Sequence, residues 1–239
     1  MTDAPSRPPA EPTSVAEPTS VAEPVEAPAP PLNILVVCTG NICRSPLAEQ
    51  LLRARLAAAG IPAAVLSAGT QALVGHEMTP QAADLSVLYG GTPTGHGARQ
   101  LTAELVSSAD LVLTATREHR SEAVSLLPRA SRYAYTLNQF ARLVTSLGEP
   151  VEETPTRSLV EPADPLRALL AAVAASRGQT PPPAQPDDDD IVDPYRQSQE
   201  VYDLAGQAID RATATIAAAF AAAQAQPQAQ THAQPQADA

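Results

Sequence analysis

The chain has 239 residues, a formal net charge of −11, an isoelectric point near 4.7 and fifteen cations that are all arginine. That balance leaves no basic footprint for nucleic acid, and two cysteines are too few for a disulfide scaffold or a cysteine-rich metal site. No uninterrupted apolar stretch approaches membrane-spanning length and no basic start leads into an apolar run, so a cytoplasmic protein without a membrane partner is expected. Residues 1 to 31 carry a six-residue repeat, Ala10 to Val15, then Ala16 to Val21, then a degraded copy from Ala22 to Ala27. Rich in proline and poor in large hydrophobes, they read as a disordered arm. One folded domain is expected from 32 to 223, and the Gln, Ala and Pro run from 224 to 239 reads as a disordered tail.

The first element is the apolar, mostly β-branched run Ile34-Leu35-Val36-Val37, followed by Cys38-Thr39-Gly40-Asn41-Ile42-Cys43-Arg44-Ser45-Pro46. Helical spacing from Pro46 through Ala59 then predicts a strand, a tight turn and a helix with proline in its first turn. The backbone N–H groups of Thr39, Gly40, Asn41, Ile42, Cys43 and Ser45 can converge on a dianion there. The positive end of the helix favours both a bound phosphate and a thiolate at Cys38. Arg44 can grip two phosphate oxygens side by side, which lysine cannot copy. Gly40 and Asn41 tolerate left-handed backbone, and Ser45 is placed to hydrogen-bond the sulfur anion. These residues suit attack on phosphorus by sulfur. Without those neighbours, Cys38 would read as a small core hydrophobe.

The segment resembles the signature of the low-molecular-weight protein tyrosine phosphatases. Further matches follow in that family's order: Ser67-Ala68-Gly69-Thr70, His96 through Thr102, Ala109 through Thr114 and Asp190-Ile191-Val192-Asp193-Pro194-Tyr195. The resemblance implies hydrolysis of phosphomonoesters, foremost phosphotyrosine in proteins and also small aryl phosphates, through a phosphocysteine on Cys38. Arg44 would bind the phosphate and Asp193 would be the general acid and base. Neither metal nor other cofactor is expected, and a monomer is. Asn41, Ser45, Ser67 and His96 would form the network that holds the loop open. Where many relatives place a large aromatic to wall the substrate ring this chain has Leu73, and Arg196 rather than a second aromatic follows Tyr195, so Leu73 and Tyr195 would line the substrate pocket. Cys38 and Cys43, flanking one tight loop, could join as a disulfide after oxidation, making Cys43 a redox partner; Cys43 could equally just pack beneath the loop.

Strand candidates at Asn33 to Val37, Ala63 to Ala68, Leu111 to Thr114 and Arg132 to Thr136 alternate with helical patterns, which predicts an α/β fold with a parallel sheet covered on both faces. The resemblance implies a flavodoxin-like, doubly wound four-stranded sheet of order 2-1-3-4 with the phosphate loop after strand 1. Helices are expected at Pro80 to Tyr89, Thr102 to Ser107, Arg117 to Leu127, Leu137 to Leu143, Leu166 to Ser176 and Glu200 to Ala223. The last should lay Val201, Leu204, Ile209, Ile216 and Phe220 on the sheet. The Pro-rich segment from about 145 to 186 reads as a surface insertion rather than a lid, and Asp187 to Asp190 as solvated charge rather than a metal site or a phosphate-repelling rim. His76, His119 and His232 receive no role.

Two other readings compete. An arsenate reductase shares the loop and fold, but its thiol relay uses cysteines beyond the loop and this chain has none after Cys43. A phosphopeptide-binding module would keep Arg44 and the amide cradle without turnover.

Overall fold

The computed structural model describes residues 30–148 and 164–225. Residues 1–29 of the repeat arm, residues 149–163 and residues 226–239 of the tail lie outside the described residues, and Gln224 and Ala225, expected in the tail, end α7. In chain order the elements are β1 (Leu32–Cys38), α1 (Arg44–Ala58), β2 (Ala63–Gly69), α2 (Pro80–Leu88), α3 (Ala103–Ser108), β3 (Leu111–Thr114), α4 (Arg117–Leu126), β4 (Ala134–Thr136), α5 (Leu137–Leu147), α6 (Pro165–Ala175) and α7 (Gln199–Ala225). All pairings are parallel and the strand order is β2-β1-β3-β4, the order and class expected.

Both faces of β1 are buried. Ile34 and Val36 join Leu47, Leu51, Leu113, Phe140 and Ile216 in the larger core, whereas Leu35 and Val37 join Val106, Val112 and Ala123 in the smaller one. This is why the strand reads as a continuous apolar run instead of an alternating one. The chain leaves β1 toward β2 on one side and returns past it to β3 on the other, so the β1–α1 loop opens at the switch point where ligands bind in such sheets.

Three expectations about the helices change. Helix α1 starts at Arg44, two residues before Pro46, because Cys43 takes the N-cap place with no side-chain cap and leaves the first-turn N–H groups unclaimed. Helix α7 rests on α1 and α5 rather than directly on the sheet, and its buried stripe runs through Tyr202, Ala205, Ile209, Ala212, Ile216 and Phe220. Leu204 points out, 60 % exposed. The stripe turns this way because Gly206 lets α7 close on α2: a Cβ there would sit 3.0 Å from Leu85 Cδ1.

The third change concerns α6, capped by Asp164 through the N–H groups of Leu166 and Arg167. It buries Leu166 and Val173 in the larger core against α5 and α7, and the Arg177 guanidinium just beyond it lies 3.7 Å over the Tyr135 ring. It is therefore a core layer, neither a surface insertion nor a lid. Burying two aliphatic side chains at roughly 1.5–3 kcal/mol each explains why this stretch is helical and docked. Among the described residues no helix is long and apolar enough to cross a membrane.

Candidate active site

The loop between β1 and α1 is held from below by hydrogen bonds between polar side chains. Asn41 adopts φ 56°, the left-handed backbone expected of it. Its side-chain amide donates to Ser45 Oγ at 2.9 Å and Ser67 Oγ at 2.8 Å, while its Oδ1 accepts the Arg99 backbone N–H at 2.8 Å. His96 Nε2 lies 2.7 Å from the Asn41 carbonyl oxygen. Ser45 Oγ lies 3.0 Å from Cys38 Sγ. Because Asn41 spends both amide protons on the two serines, Ser45 keeps its own proton, for which the sulfur at 3.0 Å competes with the Ala68 carbonyl at 3.4 Å. The structure thus brings Asn41, Ser45, Ser67 and His96 together around Cys38.

The chain from 69 to 73 forms one wall. The N–H groups of Thr70, Gln71 and Leu73 donate to the carbonyls of Cys38, Thr39 and Gly40. A Cβ on Gly69 would meet the Thr39 carbonyl oxygen at 2.3 Å, so only glycine permits this approach.

Arg44 is 4 % exposed. Its Nη1 donates to the Ile191 carbonyl at 3.0 Å, its Nη2 donates to Thr39 Oγ1 at 3.3 Å, and Nη2 also pairs with Asp193 Oδ2 at 2.9 Å. Its buried Nε finds no partner among the described residues, a donor that an anion in the loop would take up. Asp193 therefore reaches the phosphate loop from the far end of the sequence, and its carboxylate occupies the guanidinium. The adjacent cavity, about 240 Å³, is lined by Cys38, Ile42, Arg44, Leu73, Asp193 and Tyr195 among others. Leu73 and Tyr195 sit at its mouth, each 37 % exposed.

Cys38 and Cys43 are both free and buried. Cys43 Sγ points away into contacts with Thr79 Oγ1 at 3.4 Å and Tyr202 Oη at 3.5 Å. Burial, more than any other influence, pushes its thiol pKa up, with those two hydrogen bonds opposing.

Several residues of the site were not found by sequence reasoning. Glu49 is buried beneath the loop, accepts from Ser67 Oγ and pairs with Arg53 one turn along α1. The Glu and Arg at helical spacing were the available signal. Tyr202 ties α7 to Cys43. His119, which had no assigned role, is buried between two threonines: Nε2 lies 2.8 Å from Thr39 Oγ1 and Nδ1 2.6 Å from Thr116 Oγ1. No spacing in the sequence would have paired His119 with Thr39, eighty residues apart. The acidic run is solvated only in part, since Asp187 and Asp188 are exposed but three of its four side chains are paired with arginines. Asp187 and Asp190 pair with Arg117, and Asp189 is buried against Arg142. Among the described residues no group of three or more His, Cys, Asp or Glu side chains is placed to hold a metal ion.

Burial, aided by the nearby Arg44 charge and opposed by Asp193 and Asp190, lowers the His119 pKa to about 4. The unfolded chain, near 6.5, binds the proton more readily, so stability from neutral His119 is present above about pH 6.5 and is lost as pH falls toward 4. The loss should reach about 3 kcal/mol at most. Urea unfolding of wild type and His119→Asn at pH 7 and pH 4 checks this: the stability difference between them should shrink at low pH. A constant difference would remove His119 from the acid response.

The model described as low molecular weight phosphotyrosine protein phosphatase matches residues 33–154. Over 96 residues the chain is 46 % identical to the low molecular weight protein-tyrosine-phosphatase Etp of Escherichia coli (strain K12), an alignment spanning 40 % of this chain and 62 % of Etp. A protein-arginine-phosphatase of Bacillus subtilis (strain 168) is 36 % identical over 109 residues, 46 % of this chain and 72 % of that protein. The structure superposes on Vibrio vulnificus Wzb in complex with benzylphosphonate with a TM-score of 0.55 at 27 % identity, covering 78 % of this chain and 97 % of that one. Since the matched stretch takes in half of the chain, with the phosphate loop, its serine and asparagine braces and three of the four strands in full, the chain belongs to the low-molecular-weight phosphotyrosine protein phosphatase family.

Proposed function

We infer that the protein hydrolyses phosphomonoesters, foremost protein phosphotyrosine, through a phosphocysteine on Cys38. The observation that carries this reading is the meeting of Cys38, Arg44 and Asp193 at one cavity, with Ser45 Oγ 3.0 Å from the sulfur and Asp193 2.9 Å from the guanidinium. In the first step the Cys38 thiolate attacks phosphorus, the phosphorus–oxygen ester bond breaks, and the protonated Asp193 carboxyl gives its proton to the departing oxygen. Arg44 Nε and Nη2 and the loop amides hold the equatorial oxygens as charge redistributes. In the second, Asp193 takes a proton from water, whose oxygen attacks phosphorus and breaks the sulfur–phosphorus bond. Phosphate leaves and the thiolate returns. The nucleophile, the charge stabilisation and the proton all come from side chains and backbone, so the reaction as written needs no metal.

Ile42, Leu73 and Tyr195 give the cavity apolar walls that suit an aryl ring better than the polar surroundings of phosphoserine or the charged guanidinium of phosphoarginine. The test is a panel of p-nitrophenyl phosphate and peptides carrying phosphotyrosine, phosphoserine or phosphoarginine, with arsenate reduction followed separately. Highest kcat/KM is expected for the phosphotyrosine peptide. Binding without turnover would instead make the protein a phosphopeptide-binding module, and preference for phosphoarginine would align it with its Bacillus relative. The same reading has the protein acting as a monomer in the cytoplasm.

Cys43 adds a redox proposal. Peroxide would oxidise Cys38 to a sulfenic acid, Cys43 would displace water from it to form a disulfide, and added thiol would reduce the bridge. Since burial raises its pKa, Cys43 should capture the sulfenic acid faster as pH rises. Thiol should restore most activity to peroxide-treated wild type and much less to Cys43→Ala; equal recovery would leave Cys43 with a packing role alone.

A further inference from the structure

We propose that Arg117 is a positioning residue for the general acid, and that the acidic run Asp187–Asp190 is the mount through which it acts. This rests on reading Asp193 as the acid.

Asp193 is weakly fixed by its own contacts. Its side chain is 50 % exposed and touches Arg44 and the Tyr195 backbone N–H, within a stretch from Ile191 to Ser198 that is neither helix nor strand. Its place therefore depends on what holds the chain on either side. Downstream, α7 begins at Gln199. Upstream, all four aspartates are engaged. The Asp190 carboxylate accepts the Arg117 backbone N–H at 2.8 Å and the Arg117 side chain at 3.0 to 3.3 Å, and Asp187 accepts the same guanidinium at 2.7 Å. Asp189 pairs with Arg142 at 3.1 Å, while Asp188 caps the turn through the Gln185 N–H. The next residue, Ile191, is buried and donates its N–H to the Ala115 carbonyl. Asp193 follows two residues later.

Helix propensity alone does not explain Arg117. It is the first residue of α4, where the helix dipole disfavours a cation and where backbone N–H groups lack partners. Asp190 resolves both at once, taking the orphan N–H with one oxygen and the guanidinium with both. A residue that is unfavourable for its own helix is thereby made the anchor of another segment. The planar fork of arginine is required, since it holds two carboxylates on separate residues in fixed directions, whereas lysine offers a single point charge.

The consequence falls chiefly on proton transfer. Arg117 touches neither the phosphate loop nor the substrate cavity, and the Ile191 carbonyl that accepts from Arg44 Nη1 has its own anchors in the buried Ile191 side chain and the Ala115 carbonyl, so attack by Cys38 and binding by Arg44 depend on Arg117 less than the placing of Asp193 does. A displacement of Asp193 on the order of 1 Å is enough to slow proton transfer substantially. The loss should grow with the basicity of the leaving oxygen, since a good leaving group needs little protonation.

The experiment measures kcat/KM for substituted phenyl phosphates, from p-nitrophenyl phosphate to phenyl phosphate, with wild type, Arg117→Ala, Arg117→Lys and Asp187→Asn. For Arg117→Ala, p-nitrophenyl phosphate should stay within about twofold of wild type and phenyl phosphate should fall about tenfold. Arg117→Lys should fall between. Asp187→Asn, altered at a side chain 91 % exposed, should steepen the leaving-group dependence by a few-fold and keeps the test available if Arg117→Ala fails to fold. An unchanged slope in these variants, or a uniform loss across all esters, would overturn the proposal. Absence of Cys38-dependent turnover in wild type would instead overturn the reading of the site.

Discussion

Cys38→Ser is expected to reduce turnover of aryl phosphates by at least about 10⁴-fold while inorganic phosphate still binds within a few-fold of wild type. A serine hydroxyl fits the space of the thiol but is a far weaker nucleophile at neutral pH. The anion cradle is built from other groups: the loop amides at the N-terminus of α1 and the Arg44 guanidinium, whose buried Nε has no partner among the described residues. Nothing in that cradle requires sulfur. Steady-state kinetics on p-nitrophenyl phosphate, with calorimetric titration of phosphate into both proteins, separates the two effects. Undiminished turnover by Cys38→Ser would remove sulfur from the reaction, and loss of phosphate binding would show that the substitution collapses the loop.

Asp193→Ala should lower kcat/KM for phenyl phosphate by roughly 10² to 10⁴ and affect p-nitrophenyl phosphate much less, the pattern of a lost general acid. A second effect has the opposite sign. The Asp193 carboxylate sits 2.9 Å from Arg44 Nη2, so an incoming phosphate must compete with it for the guanidinium. Asp193→Ala removes that competitor, and phosphate should inhibit the variant several-fold more tightly than wild type. Weaker phosphate inhibition would mean that the carboxylate helps rather than hinders anion binding. Leaving-group dependence equal to that of wild type would move the acid role to another residue.

Much of the site was legible because its chemistry is compressed into one short turn. From Cys38 to Ser45 the nucleophile, the left-handed backbone at Asn41, the guanidinium and the sulfur's hydrogen-bond partner stand within eight consecutive residues. The strand before and the helix after have plain apolar periodicity. Alternating strands and helices pointed to a parallel sheet, while its strand order was implied by the family resemblance alone. Other features were not legible because they depend on contacts distant in sequence. The partnership of His119 with Thr39 and the pairing of Asp187 and Asp190 with Arg117 join segments about seventy to eighty residues apart. A run of four aspartates looks the same in a sequence whether it faces water or three different partners. The α7 stripe was misread in its first turns for a packing reason: Leu204 is the larger hydrophobe, but the close approach at Gly206 turns Tyr202 and Ala205 inward in place of Val201 and Leu204, while Ile209, Ile216 and Phe220 are buried as expected. Helix α6 hides its docked face because only Leu166 and Val173 are deeply buried among many alanines and partly buried leucines.

The central claim, that phosphorus is transferred to Cys38, is tested most directly by rapid quench of the enzyme in alkaline denaturant during turnover of p-nitrophenyl phosphate, followed by digestion and peptide mass spectrometry kept out of mild acid. Alkaline denaturant stops turnover and preserves the sulfur–phosphorus bond, which is stable in base and labile in mild acid. The expected result is a phosphoryl group on the peptide containing Cys38, absent from Cys38→Ala and accumulating further in wild type when turnover of the intermediate is slowed. A phosphoryl group found on any other side chain, or steady turnover with no phosphoenzyme at any quench time in wild type and in Asp193→Ala alike, would contradict it.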